Sequence, residues 1–151
     1  MAADGVLDTR LLHASLAVQD LDRSLVFYQS LFGGTVVLHE RGIDDLIQRT
    51  TGLPGVVCDL AQLRLPGTGV LLELIAFRDI PAGREDDAPV RPGHGHVCLG
   101  VADLEASLAH AQRHGATPVG EVVAYPEGRS VYLREPGGSV LELEELQEER
   151  G

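Results

Sequence analysis

The sequence predicts an α+β fold in which two tandem βαβββ modules form one curved mixed sheet with helices on its outside. Two observations support this prediction. A stretch of thirteen residues that begins at His13 recurs at His96, 83 residues later, with seven identical positions. A second pair of similar stretches ends on an acidic residue between leucines, Glu73 in the first copy and Glu142 in the second. Motifs that recur in the same order indicate a duplicated structural unit.

The order of elements follows from local patterns within each copy. Each copy opens with alternating apolar residues, which predicts a β-strand. Asp20 in the first copy and Asp103 in the second can then cap the start of a helix. The predicted helices end near Gly33 and Gly115, because glycine is favoured just after a helix. Three short β-strands complete each module. One module alone leaves a face of its sheet uncovered, so the two modules are expected to combine.

The chain is expected to form a single domain over residues 1–151, with a first module at 11–77 and a second at 95–145. Residues 78–94 are rich in proline, glycine and charge, which is typical of a linker. With 151 residues and 44% hydrophobic content, the chain can form one hydrophobic core.

Charge and composition exclude several classes of partner. The chain has 12 basic and 23 acidic residues, for a net charge of −11. This excess of negative charge argues against nucleic acids and anionic membranes as partners. An apolar run long enough to span a membrane is missing, as is a secretory signal pattern, so a cytoplasmic protein is expected. Cys58 and Cys98 lack metal-binding spacing and are expected to be buried free thiols.

Strand periodicity places four polar side chains on one face of the predicted sheet, which we call the inner face. Alternate residues of a strand share a face. If the large aliphatic side chains point towards the helices, His13, Glu73, His96 and Glu142 all lie on the inner face. Two imidazoles and two carboxylates predict a site for one divalent ion, with Ni, Zn, Co, Mn and Fe all possible. The alternative is that the glutamates are solvated on an edge strand.

The motifs that carry these residues resemble those of the vicinal oxygen chelate superfamily of glyoxalase I, bleomycin-resistance proteins and extradiol dioxygenases. The similarity covers nearly the whole chain. Its signatures are HASLAVQDLDRSLVFY from His13, LLEL around Glu73, HVCLGVADL from His96 and YLREPGGSVLEL around Glu142. The resemblance implies that these four residues are the metal ligands. The turn that begins at Glu135 departs from the common family pattern, and we expect this departure to alter the turn but not the site.

The resemblance also implies a reaction class, a small-molecule substrate with vicinal oxygens and a homodimer. A fourth ligand at Glu73 favours a glyoxalase-I-like lyase or isomerase in which the ion stabilises an enediolate. Glu142 is the first candidate for the catalytic base and Glu73 the second. The main alternative is an extradiol-type dioxygenase that uses Fe or Mn. An acid epimerase, in which Glu40 would be the additional carboxylate, is another.

A different class of function is a metal-free protein that binds an antibiotic or another small molecule. The complete set of four ligands counts against this alternative, because sequestering relatives generally lack these residues. The sequence does not identify the residues that bind the substrate. Four arginines are candidates for binding a substrate carboxylate, and nothing in the sequence ranks them: Arg49, Arg64, Arg78 and Arg129.

Overall fold

The computed structural model describes residues 12–51, 54–79, 95–125 and 128–147. The first module contains β1 (His13–Ala17), α1 (Leu21–Phe32), β2 (Thr35–Ile43), α2 (Asp45–Thr51), β3 (Val57–Arg64) and β4 (Leu71–Arg78). The second contains β5 (Val97–Gly100), α3 (Leu104–Arg113), β6 (Thr117–Pro118), β7 (Val123–Tyr125), β8 (Gly128–Arg134) and β9 (Val140–Leu146). The predicted α+β class is confirmed. The described residues contain two elements that the sequence did not predict: α2 in the first module, and a fourth strand after the helix of the second module, where β6 and β7 replace one predicted strand. Nearly all of the predicted linker lies outside the described residues.

The strands of the described ranges form two sheets, not the one curved sheet that the sequence predicts. The first sheet has the order β1-β4-β3-β2, and the second has the order β5-β9-β8-β6, with β7 also paired to β8. β1 is parallel to β4 and β5 is parallel to β9, while the other pairs are antiparallel. β1 and β5 therefore stand at equivalent edges of the two sheets.

Both long helices begin where the sequence predicts. The Asp20 side chain accepts a hydrogen bond from the backbone N–H of Arg23 at 3.0 Å, and Asp103 accepts one from Ala106 at 2.9 Å. These bonds satisfy N–H groups that have no partner within the helix. α1 ends at Gly33, whose φ of 68° is a left-handed conformation that favours glycine. None of the helices in the described ranges is long and apolar enough to span a membrane.

The helix-side faces of both sheets contribute to one hydrophobic core. Leu74 from the first sheet, Leu141 from the second and Tyr28 from α1 are all completely buried in this core. Because the two sheets share the core through these faces, their inner faces turn away from it. This packing explains why the sheets are separate within one chain: joining them edge to edge would require the shared core to open.

A buried carboxylate joins the two modules at the turn between β8 and β9. Glu135 is only 2% exposed and accepts hydrogen bonds from the Ser24 hydroxyl of α1 and the Ser139 hydroxyl, each at 2.7 Å. The backbone N–H groups of Gly137 and Ser139 also donate to this carboxylate. Glu135 begins the turn that departs from the family pattern, and its carboxylate connects the two modules of this chain.

Replacing Glu135 with Ala is expected to lower the free energy of unfolding by about 3 kcal/mol, because several buried donors lose a charged acceptor. Urea denaturation followed by circular dichroism measures the change. Glu121→Ala provides the control, since Glu121 is exposed and surface substitutions usually change stability by no more than about 0.5 kcal/mol. Equal unfolding midpoints for the two variants would contradict the proposed structural role of Glu135.

Candidate metal centre

The parallel strands β1 and β4 bring the first predicted ligand pair together. Ser15 stands opposite Glu73 in the strand register, and His13 lies two residues from Ser15 on the same face. Nε2 of His13 is 3.9 Å from Oε1 of Glu73. The His13 side chain is 41% exposed and that of Glu73 is 13% exposed. The pair is thus open to solvent on the inner face, as the strand periodicity predicts.

Two neutral donors hold the carboxylate of Glu73. The Ser15 hydroxyl donates a hydrogen bond to Oε1 at 3.0 Å. The side-chain amide of Gln62 donates one to Oε2 at 2.9 Å. Gln62 lies opposite Glu73 in the antiparallel register of β3 and β4, so the strands themselves place its amide beside the carboxylate.

The second predicted pair has the same arrangement in the second module. Cys98 stands opposite Glu142 in the parallel register of β5 and β9. Nε2 of His96 is 3.1 Å from Oε2 of Glu142. Tyr132 of β8 stands opposite Glu142, and its ring meets the His96 ring edge-on, with 4.7 Å between centroids. Both modules therefore place a histidine and a glutamate at equivalent strand positions.

Cys98 lies on the inner face beside the second pair, with its thiol close to two carboxylates. It is a free cysteine that is exposed, although the sequence predicts burial, because it stands on the inner face rather than on the face that packs into the core. Its Sγ is 3.5 Å from Oε2 of Glu144. Desolvation of the sulfur and the nearby Glu142 and Glu144 carboxylates raise its pKa to about 12. Without a bound cation nearby, the thiol is therefore protonated at neutral pH, where it is a weak hydrogen-bond donor and a weak acceptor.

The two His–Glu pairs fit a divalent ion in both chemistry and spacing. Imidazole nitrogen and carboxylate oxygen together suit Zn, Mn, Fe, Co and Ni. Adjacent donors of an octahedral ion stand about 3 Å apart, because bonds of about 2.1 Å meet at right angles. The distance between His96 and Glu142 matches this spacing, and that between His13 and Glu73 is longer by less than one ångström.

The four predicted ligands do not gather into one cluster within the described part of the chain. There, the only group of three or more possible donors comprises Asp103, Glu105 and Glu145. Arg129 forms ion pairs with both Glu105 and Glu145, and Asp103 caps the start of α3, so each of these carboxylates has a partner in the chain. One chain thus holds the predicted ligands as two separate His–Glu pairs.

The structure distinguishes among the four candidate arginines. Three of them form ion pairs with carboxylates: Arg49 with Asp45, Arg78 with Asp59, and Arg129 with Glu105 and Glu145. Arg64 forms no ion pair with any described residue. It stands opposite Leu71, two positions along β3 from Gln62, and so lies on the inner face beside the first pair.

The hydrogen bond from Gln62 to Glu73 was not predicted from the sequence. A signal for it exists in the turn between β3 and β4. Arg64 and Leu71 flank this turn, and counting two residues outward along each strand places Gln62 opposite Glu73. Using that signal requires the knowledge that these two strands form a hairpin.

Comparisons with known proteins agree with the fold. Residues 10–143 match the family model of the Glyoxalase/Bleomycin resistance protein/Dioxygenase superfamily. None of the curated proteins is significantly similar to the chain.

Three solved structures illustrate the similarity. A glyoxalase family protein from Bacillus cereus is 25% identical, with 97% of this chain and 100% of that one covered and a TM-score of 0.79. Glyoxalase I of Leishmania major is 24% identical, with coverages of 91% and 87% and a TM-score of 0.61. TnmS3, an antibiotic binding protein from a Streptomyces species, is 19% identical, with coverages of 94% and 99% and a TM-score of 0.60. The chain belongs to the glyoxalase/bleomycin resistance protein/dioxygenase superfamily.

Proposed function

We propose that the protein is a metal-dependent, glyoxalase-I-like lyase or isomerase that acts on a small molecule with two neighbouring oxygens. The observation that carries this proposal is the repetition of one His–Glu pair at equivalent positions of the two inner faces. His13, Glu73, His96 and Glu142 would together hold one divalent ion. Superfamily members commonly use such an ion, which agrees with the nitrogen and oxygen donors present.

We further propose that each complete site forms between two copies of the chain. The helix-side faces share one core, so the two inner faces of a single chain turn away from each other. The first module of one chain can instead face the second module of its partner, with β1 and β5 as the sheet edges that meet. A twofold symmetric dimer of this kind would contain two equivalent sites.

Within this site the two glutamates would have different roles. A bound ion would supply Lewis-acid stabilisation of negative charge on the two substrate oxygens. Glu142 is the first candidate base, which would accept a proton from the neighbouring substrate carbon. Glu73, held by Ser15 and Gln62, is better suited to remain in place as a ligand and is the second candidate.

Arg64 is the best candidate for binding a negatively charged part of the substrate. It lies on the same face as Glu73 and forms no ion pair with the described residues. Two residues of a strand separate it from Gln62, a distance of about 7 Å. A guanidinium group at this position suits a carboxylate or a similar anion. We therefore propose that the substrate carries both vicinal oxygens and an anionic group.

Elemental analysis of protein purified anaerobically, without chelating resin, tests the proposed function. We expect about one divalent ion per chain, because each site of the dimer uses one module from each chain. Ni or Zn, with no oxygen consumed on addition of candidate substrates, would support the lyase or isomerase. Fe or Mn together with oxygen uptake on addition of a catechol would indicate a dioxygenase. No bound metal, even after reconstitution, would contradict the proposal and favour a binding protein.

A further inference from the structure

We propose that Ser15 and Gln62 are positioning residues that orient Glu73 for metal binding, an inference that rests on the metal site proposed above. Their two donor atoms come from strands on opposite sides of β4 and converge on one carboxylate. Ser15 approaches Oε1 at 3.0 Å and Gln62 approaches Oε2 at 2.9 Å. Glu73 is held from both sides, although its face of the sheet is open.

The arrangement of donors leaves room for an ion. Each carboxylate oxygen can accept hydrogen bonds or metal bonds in two lone-pair directions. One neutral donor on each oxygen occupies part of this capacity and leaves the rest for a cation. Neither Ser15 nor Gln62 brings a charge, so neither competes electrostatically with the ion. Both fix the side-chain torsions of Glu73 in advance, which lowers the entropy that metal binding must remove.

The second module has different side chains around its glutamate. The register places Cys98 and Tyr132 at the positions equivalent to Ser15 and Gln62. The Cys98 thiol lies close to the carboxylates of both Glu144 and Glu142, and the Tyr132 ring contacts His96. Substitution of Ser15 or Gln62 therefore acts on the glutamate of the first module and leaves the second His–Glu pair intact.

Metal binding to the full-length protein tests the inference without an activity assay. Ser15→Ala and Gln62→Met each remove one donor, whereas Ser15→Thr keeps the hydroxyl. Gln112→Met is the matched control, because Gln112 is exposed on α3. Mn²⁺ affinity is measured from the electron paramagnetic resonance signal of the free ion, and the ligand field from the visible spectrum of the Co²⁺-loaded protein. Thermal denaturation of the metal-free proteins reports on the fold.

We expect Ser15→Ala and Gln62→Met to weaken Mn²⁺ binding by about 10–100-fold, the usual cost of losing a hydrogen-bond partner of a ligand. Both should change the Co²⁺ spectrum, while the melting temperature stays the same. Ser15→Thr and Gln112→Met should match the wild type. If the wild type binds metal and the two donor-deleting variants bind it equally well, the positioning role is wrong and the metal site stands. An affinity loss shared by Ser15→Thr would also refute the role. If the wild type binds neither ion, the metal site itself is wrong.

Discussion

Replacement of either His13 or His96 with Ala is expected to weaken divalent-metal binding by more than about 100-fold. Loss of a group that only hydrogen-bonds to a ligand typically lowers metal affinity by about 10–100-fold. Each histidine is itself a proposed ligand, so its loss should cost more. Each substitution leaves three of the four donors in a site. Metal content after dialysis, together with titration of the metal-free protein, measures the loss.

The two substitutions should not unfold the protein. Neither side chain belongs to the hydrophobic core: that of His13 is 41% exposed, and that of His96, which contacts Tyr132, is 29% exposed. His110→Ala is the control, because His110 lies on α3 and its ring contacts Arg113 rather than either glutamate. If a folded His13→Ala or His96→Ala variant keeps the metal content of the wild type, that histidine is not a ligand.

Strand periodicity and helix capping could be read from the sequence because they depend on nearby residues. In β1, Leu16 is buried while Ser15 and Ala17 on either side of it are exposed. Burial of the aliphatic side chains therefore determines which face carries the polar ones. Asp20 likewise caps α1 through a bond that spans only three residues.

The relation between the two modules could not be read from the sequence. It depends on contacts such as the hydrogen bond between Ser24 and Glu135, which are 111 residues apart. No local pattern shows which faces of the two sheets meet, so the repeat alone suggested one continuous sheet. The hydrogen bond from Gln62 to Glu73 was missed for a related reason, since it depends on the register of a hairpin.

Dimers that combine the two histidine variants test most directly whether the site lies between two chains. Consider a dimer of one His13→Ala chain and one His96→Ala chain. In the proposed arrangement, one site combines the two substituted modules. The other site combines the two unchanged modules and keeps all four ligands. Neither variant alone has an intact site. Restoration of metal binding in the mixed dimer would therefore require that each site use modules from different chains.

The mixed dimer can be purified after co-expression of the two variants with different peptide affinity tags, neither of which binds metal. A dimer of two differently tagged His13→Ala chains is the control. We predict about half an ion per chain in the mixed dimer, bound with wild-type affinity, because one of its two sites is intact. The control should bind none at the same metal concentration. A mixed dimer that binds no more metal than the control would contradict a site formed between two chains.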